Sequence, residues 1–124
     1  MVDVSKIMEF LDEEDAIHFL KSLVQVNSVT NVGNEKAVSD IIKSRLEGLN
    51  VSIESDLITD RRENLVISYP KDGKKKLNEE KTLVFSGHFD TVPPGNVDWK
   101  HSIFSGEVLE NKMYGRGTTD MKSG

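Results

Sequence analysis

The sequence predicts an α/β fold in which helices cover a mixed β-sheet. Two apolar stripes at helical spacing lie between Asp12 and Glu47, and three runs rich in β-branched and aromatic residues follow, the last ending near Ser86. The order helix, helix, strand, strand, strand is that of a sheet with helices laid on it. The second strand run stops near Tyr69 and the third begins near Thr82, close enough for a hairpin, so at least one strand pair is antiparallel. At 124 residues, 36% hydrophobic and 30% charged, the chain is about one globular domain in size.

The first helix is read over residues 12–26. Ala16, Ile17, Leu20, Leu23 and Val24 make one stripe. Asp12, Glu13, Glu14 and Asp15 crowd its start, where the helix dipole favours negative charge. His18 falls on its polar face beside Lys21, Ser22 and Gln25, as a solvent residue. A further helical turn is expected around Ile7, Phe10 and Leu11. Residues 27–34 form a turn-rich loop. The second helix spans residues 35–47, with Ala37, Val38, Ile41, Ile42 and Leu46 as its stripe and Gly48 as its stop.

Residues 51–57 alternate and read as a half-exposed edge strand. Residues 64–69 read as a more buried strand closed by Pro70, and Lys71 to Lys76 as a solvated hairpin tip. Thr82 to Ser86 is a short apolar run that suits a strand covered on both faces. After a long irregular segment anchored by Trp99 and Phe104, residues 107–109 and 112–114 form a small hairpin around Glu110-Asn111.

The chemistry lies at the end of the third strand run. Gly87 marks a bend or a close approach of backbone. His88 and Asp90 follow two residues apart, and extended backbone would put them on one face. A metal-binding histidine commonly donates its second ring N–H to a carboxylate, which fixes its tautomer. Further along, Gly115 and Gly117 flank Arg116 in a tight loop, and Asp120 emerges as a lone carboxylate. The chain has no cysteine, so any metal is held by His, Asp or Glu.

Ser86-Gly87-His88-Phe89-Asp90-Thr91-Val92-Pro93, then Trp99 and Phe104, then Tyr114-Gly115-Arg116-Gly117-Thr118-Thr119-Asp120-Met121-Lys122, resembles the acetylornithine deacetylase, succinyl-diaminopimelate desuccinylase and aminoacylase family. These are two-zinc amidohydrolases and exopeptidases. The resemblance implies a three-layer α/β/α zinc-exopeptidase-like catalytic domain, of which residues 1–124 are the N-terminal portion. The remainder of that domain, and any lid or dimerisation domain, would lie outside it. His88 would then ligate one zinc, Asp90 would clamp its imidazole as a catalytic residue, and Asp120 would bridge both ions. Gly87, Gly115, Arg116 and Gly117 would shape the loops. Cobalt or manganese could stand in for zinc. The implied reaction is cleavage of an amide next to a carboxylate, in an N-acyl amino acid or small peptide, by a homo-oligomeric enzyme.

In complete members the glutamate base, a further acidic ligand and a distal histidine come later in the chain. The 124-residue chain alone is therefore expected to be inactive and to hold metal weakly or not at all. The resemblance also implies a cis bond between Asp120 and Met121, which is expected to relax to trans in this portion. His101 is expected at the surface. A formal charge of −5 argues against nucleic acid and anionic membranes as partners. The lack of disulfides and of a signal-peptide layout suits the cytoplasm. Two other readings are a truncated, non-catalytic binding module of the same fold and a metal-dependent phosphoesterase.

Overall fold

The computed structural model describes residues 6, 8–70 and 83–124. Helix α1 is Glu13–Val24. Its N-cap Asp12 accepts a bond from the Asp15 amide at 3.0 Å, which satisfies one of the open N–H groups of the first turn. Helix α2 is Glu35–Arg45, capped by Asn34, whose side chain accepts from the Ala37 amide at 3.2 Å. Gly48, just beyond it, takes a φ of 80°, which ends the helix without a Cβ clash. The stripe of α1 is buried only at its C-terminal end, at Leu23 and Val24; Ala16 and Ile17 are exposed. Arg45 of α2 pairs with Asp15 and lies 5.8 Å above the Phe19 ring, so a cation holds the N-terminal half of α1 where apolar packing does not.

Strands β1 (Ser52–Thr59) and β2 (Arg62–Ser68) form an antiparallel pair, with Ile53 opposite Ile67 and Ser55 opposite Leu65. A register shift between Leu57 and Thr59 absorbs the turn at Asp60-Arg61. Helix α2 meets β2 through polar groups. Glu63 is buried, accepts from Lys43 Nζ at 2.7 Å and from the Ser39 hydroxyl, while Arg62 pairs with Glu35 at 3.0 Å. Burial alone would raise the Glu63 carboxyl, but the Lys43 and Ser39 bonds outweigh it and hold it below its ordinary range.

The expected pairing of the second and third strand runs is replaced by this β1–β2 hairpin. Val66, Ile67 and Tyr69 are exposed rather than buried, and Tyr69 lies past the end of β2. Leu83 to Ser86 is not a covered strand. Among the described residues it belongs to no ladder, and Leu83, Val84 and Phe85 are 79%, 76% and 88% exposed. Such a run is buried only when strands flank it and layers cover both faces, and the described residues supply neither. Among the described residues there are two two-stranded sheets instead of one mixed sheet, and Val29 and Thr91 add an isolated parallel bridge. Ile7, the tip from Lys71 to Lys76, and Thr82 lie outside the described residues.

Strands β3 (Glu107–Leu109) and β4 (Lys112–Tyr114) form the small hairpin at the expected residues. Glu110 and Asn111 take φ of 49° and 61°, the left-handed pair that a two-residue turn requires. Among the described residues the buried apolar ones are Leu23, Val24, Val29 and Val38. They lie where α1, α2 and the loop after α1 meet, directly behind the segment that carries the site. No helix among the described residues is long and apolar enough to cross a membrane.

Candidate functional site

The loop after α1 folds back on itself through bonds from the Val32 amide to the Val29 carbonyl at 3.1 Å and from the Asn34 amide to the Asn27 carbonyl at 2.8 Å. Its outer edge then pairs with the site segment. The Thr91 amide donates to the Ser28 carbonyl and the Thr30 amide to the Thr91 carbonyl, both at 3.0 Å. The Ser28 hydroxyl donates to the Phe89 carbonyl at 2.8 Å. Phe89 and Thr91 are thereby tied to the loop after α1 on either side of Asp90.

His88 lies between two carboxylates. Its Nδ1 is 3.0 Å from the Asp90 carbonyl and 3.1 Å from Asp90 Oδ1; its Nε2 is 3.1 Å from Asp120 Oδ1. Burial would lower its pKa, but the bond to the Asp90 carbonyl, the bond to Asp120 and the two negative charges raise it above the ordinary value. The groups remain open to solvent: the His88 side chain is 45% exposed and that of Asp120 77%.

Asp120 is delivered by a tight loop. Gly117 takes a φ of 93°, and a Cβ there would lie 2.9 Å from Lys122 Cδ and 3.0 Å from Thr91 Cγ2. The Arg116 amide donates to the Ile103 carbonyl at 2.7 Å, and its guanidinium donates to the Pro93 carbonyl at 3.4 Å and lies 5.0 Å over the Trp99 ring. Arg116 thus ties the Asp120 loop to the exit of the His88 segment. A Cβ on Gly87 would touch only the Met121 side chain, at 3.4 Å. The Asp120–Met121 bond is cis, against the expected trans. A shallow cleft of about 300 Å³ beside Asp120 is lined by Val92, Trp99, Tyr114, Arg116 and Thr119 among others.

Three contributors were not apparent in the sequence. The Thr30 hydroxyl is 2.8 Å from Asp90 Oδ2, on the side away from His88. The Lys122 ammonium, in a residue only 8% exposed, donates to the Leu23 and Val26 carbonyls at 2.8 and 2.9 Å and so fastens the Asp120 loop to the end of α1. Burial pushes it down to about 8, although the carbonyls favour its charged form. Helix ends leave carbonyls without partners, and this was the one available hint for Lys122. His101 is half-buried rather than on the surface: its Nδ1 is 2.8 Å from Glu107 Oε2, and its ring stacks on Tyr114 at 4.0 Å.

Whether these residues suit a metal can be judged from the ligand atoms. Two ligands of a tetrahedral zinc, each at about 2.0–2.2 Å, lie about 3.3–3.6 Å apart. His88 Nε2 and Asp120 Oδ1 are hydrogen-bonded at 3.1 Å and need to part by only a few tenths of an ångström to share an ion, and Nδ1 faces acceptors on Asp90 as a ligating imidazole requires. The pair fits a metal as two ligands. Among the described residues no group of three or more His, Cys, Asp or Glu is placed to complete a site.

Residues 84–124 match the model of Peptidase family M20/M25/M40, and this segment contains His88, Asp90 and Asp120. The chain is 36% identical over 114 residues to a succinyl-diaminopimelate desuccinylase of Blochmanniella floridana, covering 87% of this chain and 27% of that protein. It is 63% identical over 43 residues to the enzyme of the same name from Methylorubrum extorquens (strain PA1), and 56% identical over 43 residues to that of Rhodopseudomonas palustris (strain BisA53); each match covers 34% of this chain and 11% of the relative. The chain thus spans about a quarter or less of the length of these curated relatives.

Proposed function

We propose that residues 1–124 are the N-terminal portion of the catalytic domain of a two-zinc deacylase or exopeptidase, within a three-layer α/β/α architecture. The observation that carries this reading is His88 held between Asp90 on one ring nitrogen and Asp120 on the other. The similarity to desuccinylases supports an N-acyl amino acid substrate, with N-succinyl compounds the first to try. In this reading His88 and Asp120 would hold the metal, with Asp120 the ligand that would serve both ions, and Asp90 would keep the Nδ1 proton in place so that Nε2 presents its lone pair. Gly87, Gly115, Arg116 and Gly117 hold the two loops at the spacing the ligands need. Zinc, or cobalt or manganese in its place, supplies Lewis acidity to the substrate carbonyl. Two ligands hold an ion weakly, and the chain alone is inactive. The complete enzyme is a cytoplasmic homo-oligomer.

The test is a titration of the isotopically labelled chain with zinc, followed by NMR. The His88 ring and Asp120 should shift first, and His88→Ala should abolish the response; shifts confined to other residues would refute the site. Continuing the coding DNA past the codon for Gly124 tests the domain assignment. An open frame with a Glu-Glu pair and a distal histidine, whose product hydrolyses N-succinyl amino acids with added zinc, is expected; an immediate stop codon would refute it.

A further inference from the structure

We infer that Thr30 is a positioning residue for the metal site: its hydroxyl locks the Asp90 carboxylate in the orientation that clamps the His88 imidazole. This inference rests on the metal-ligand reading of His88 and adds to it a residue far away in the chain.

The hydroxyl has one proton and two acceptors in reach, Asp90 Oδ2 at 2.8 Å and the Thr91 carbonyl at 3.2 Å. The Thr91 carbonyl already accepts from the Thr30 amide at 3.0 Å. The carboxylate is nearer, carries charge and makes the stronger bond, so the proton goes to Asp90. With Oδ2 occupied, Oδ1 is the oxygen that faces His88 Nδ1 at 3.1 Å. An aspartate side chain turns about two bonds, and the two contacts on opposite oxygens select one rotamer.

The position of Thr30 is itself fixed by backbone. The parallel bridge between Val29 and Thr91 sets the register of the two segments, so residue 30 has no freedom to slide past Asp90. The Gly33 amide returns to the Val29 carbonyl at 2.6 Å, and a Cβ on Gly33 would run into the backbone of Asn27 and Ser28 at 2.7 Å. The loop after α1 is thus a bracket for Asp90 rather than a passive connection. Partners one shell out from a ligating histidine typically change metal affinity by about 10–100-fold when removed.

The experiment is a double-mutant cycle on the full chain, read by zinc affinity and, without metal, by the NMR shift of the His88 Nδ1 proton. Thr30→Val keeps the shape and removes the hydroxyl; it should weaken zinc about tenfold and move the Nδ1 resonance. Thr30→Ser should restore both. In an Asp90→Ala background, Thr30→Val should have less than about a twofold effect, because the acceptor it served is gone. Unchanged affinity and resonance in Thr30→Val would overturn the inference, as would an equal loss in both backgrounds. If Thr30→Val does not fold, Thr30→Ala replaces it with the same criteria. Two ligands hold an ion weakly, so where the wild-type chain shows no measurable zinc binding the metal-free resonance alone decides: an Nδ1 shift in Thr30→Val that Thr30→Ser restores supports the inference, and an unchanged one overturns it.

Discussion

Lys122 shows how one buried charge can hold a site loop in place. Its ammonium serves two carbonyls at the C-terminal end of α1, the negative end of the helix dipole. Lys122→Ala should destabilise the chain by about 2 kcal/mol in urea unfolding, since the charged hydrogen bonds to the Leu23 and Val26 carbonyls are lost. Its pH dependence has a defined sign. The folded state holds this proton with a pKa of about 8 against an ordinary 10.5, so between these values the unfolded chain binds more protons. The contribution of this group to stability therefore rises with pH from about 8 to 10.5 and is lost as pH falls back through about 8. Unfolding free energies across that window should climb in wild type and climb less in Lys122→Met.

Helix α2 and strand β2 are joined mainly by ionic and hydroxyl groups, with Glu63 at the centre. Glu63→Ala removes the acceptor of both Lys43 and Ser39 and should cost about 2–3 kcal/mol, whereas Glu63→Gln keeps the Ser39 contact and should cost less. Amide exchange in β2 should accelerate with the first change more than with the second; equal effects would show that the charge is unimportant. Elements with local signals were readable from the residues alone. The acidic run Asp12 to Asp15 at the head of one apolar stripe, the second stripe over residues 35–47, and Glu110-Asn111 between two short runs each specify their structure within a few residues. The β1–β2 hairpin was not readable, because its turn at Asp60-Arg61 lacks glycine or asparagine and a register shift hides the alternation. Thr30 and Lys122 were missed because their partners lie 60 to 99 residues away, where no periodicity reaches. The histidine and two aspartates were singled out by motif, and the structure brings them together.

Taken as a body, the described residues leave apolar surface open at Leu83 to Phe85, on β2 and on Tyr69. Three consecutive exposed apolar residues with β propensity, next to unpaired backbone, form a template for intermolecular pairing. The chain alone should self-associate in a concentration-dependent way by light scattering, and Val84→Lys with Phe85→Glu should return it toward the monomer mass. Unchanged association in that variant would place the contact elsewhere.

The two bonds from Lys122 also set an order in time. Their carbonyls lie 99 and 96 residues earlier in the chain. At about 5–20 residues per second, a ribosome releases α1 roughly 5–20 seconds before the lysine that secures it. Until then the end of α1 has only its local backbone bonds, such as that from the Val26 amide to the Leu23 carbonyl, and the Asp120 loop can be fastened only once Lys122 has emerged. Nascent chains halted before Lys122 should expose the end of α1 to proteolysis, and those halted well after it should not.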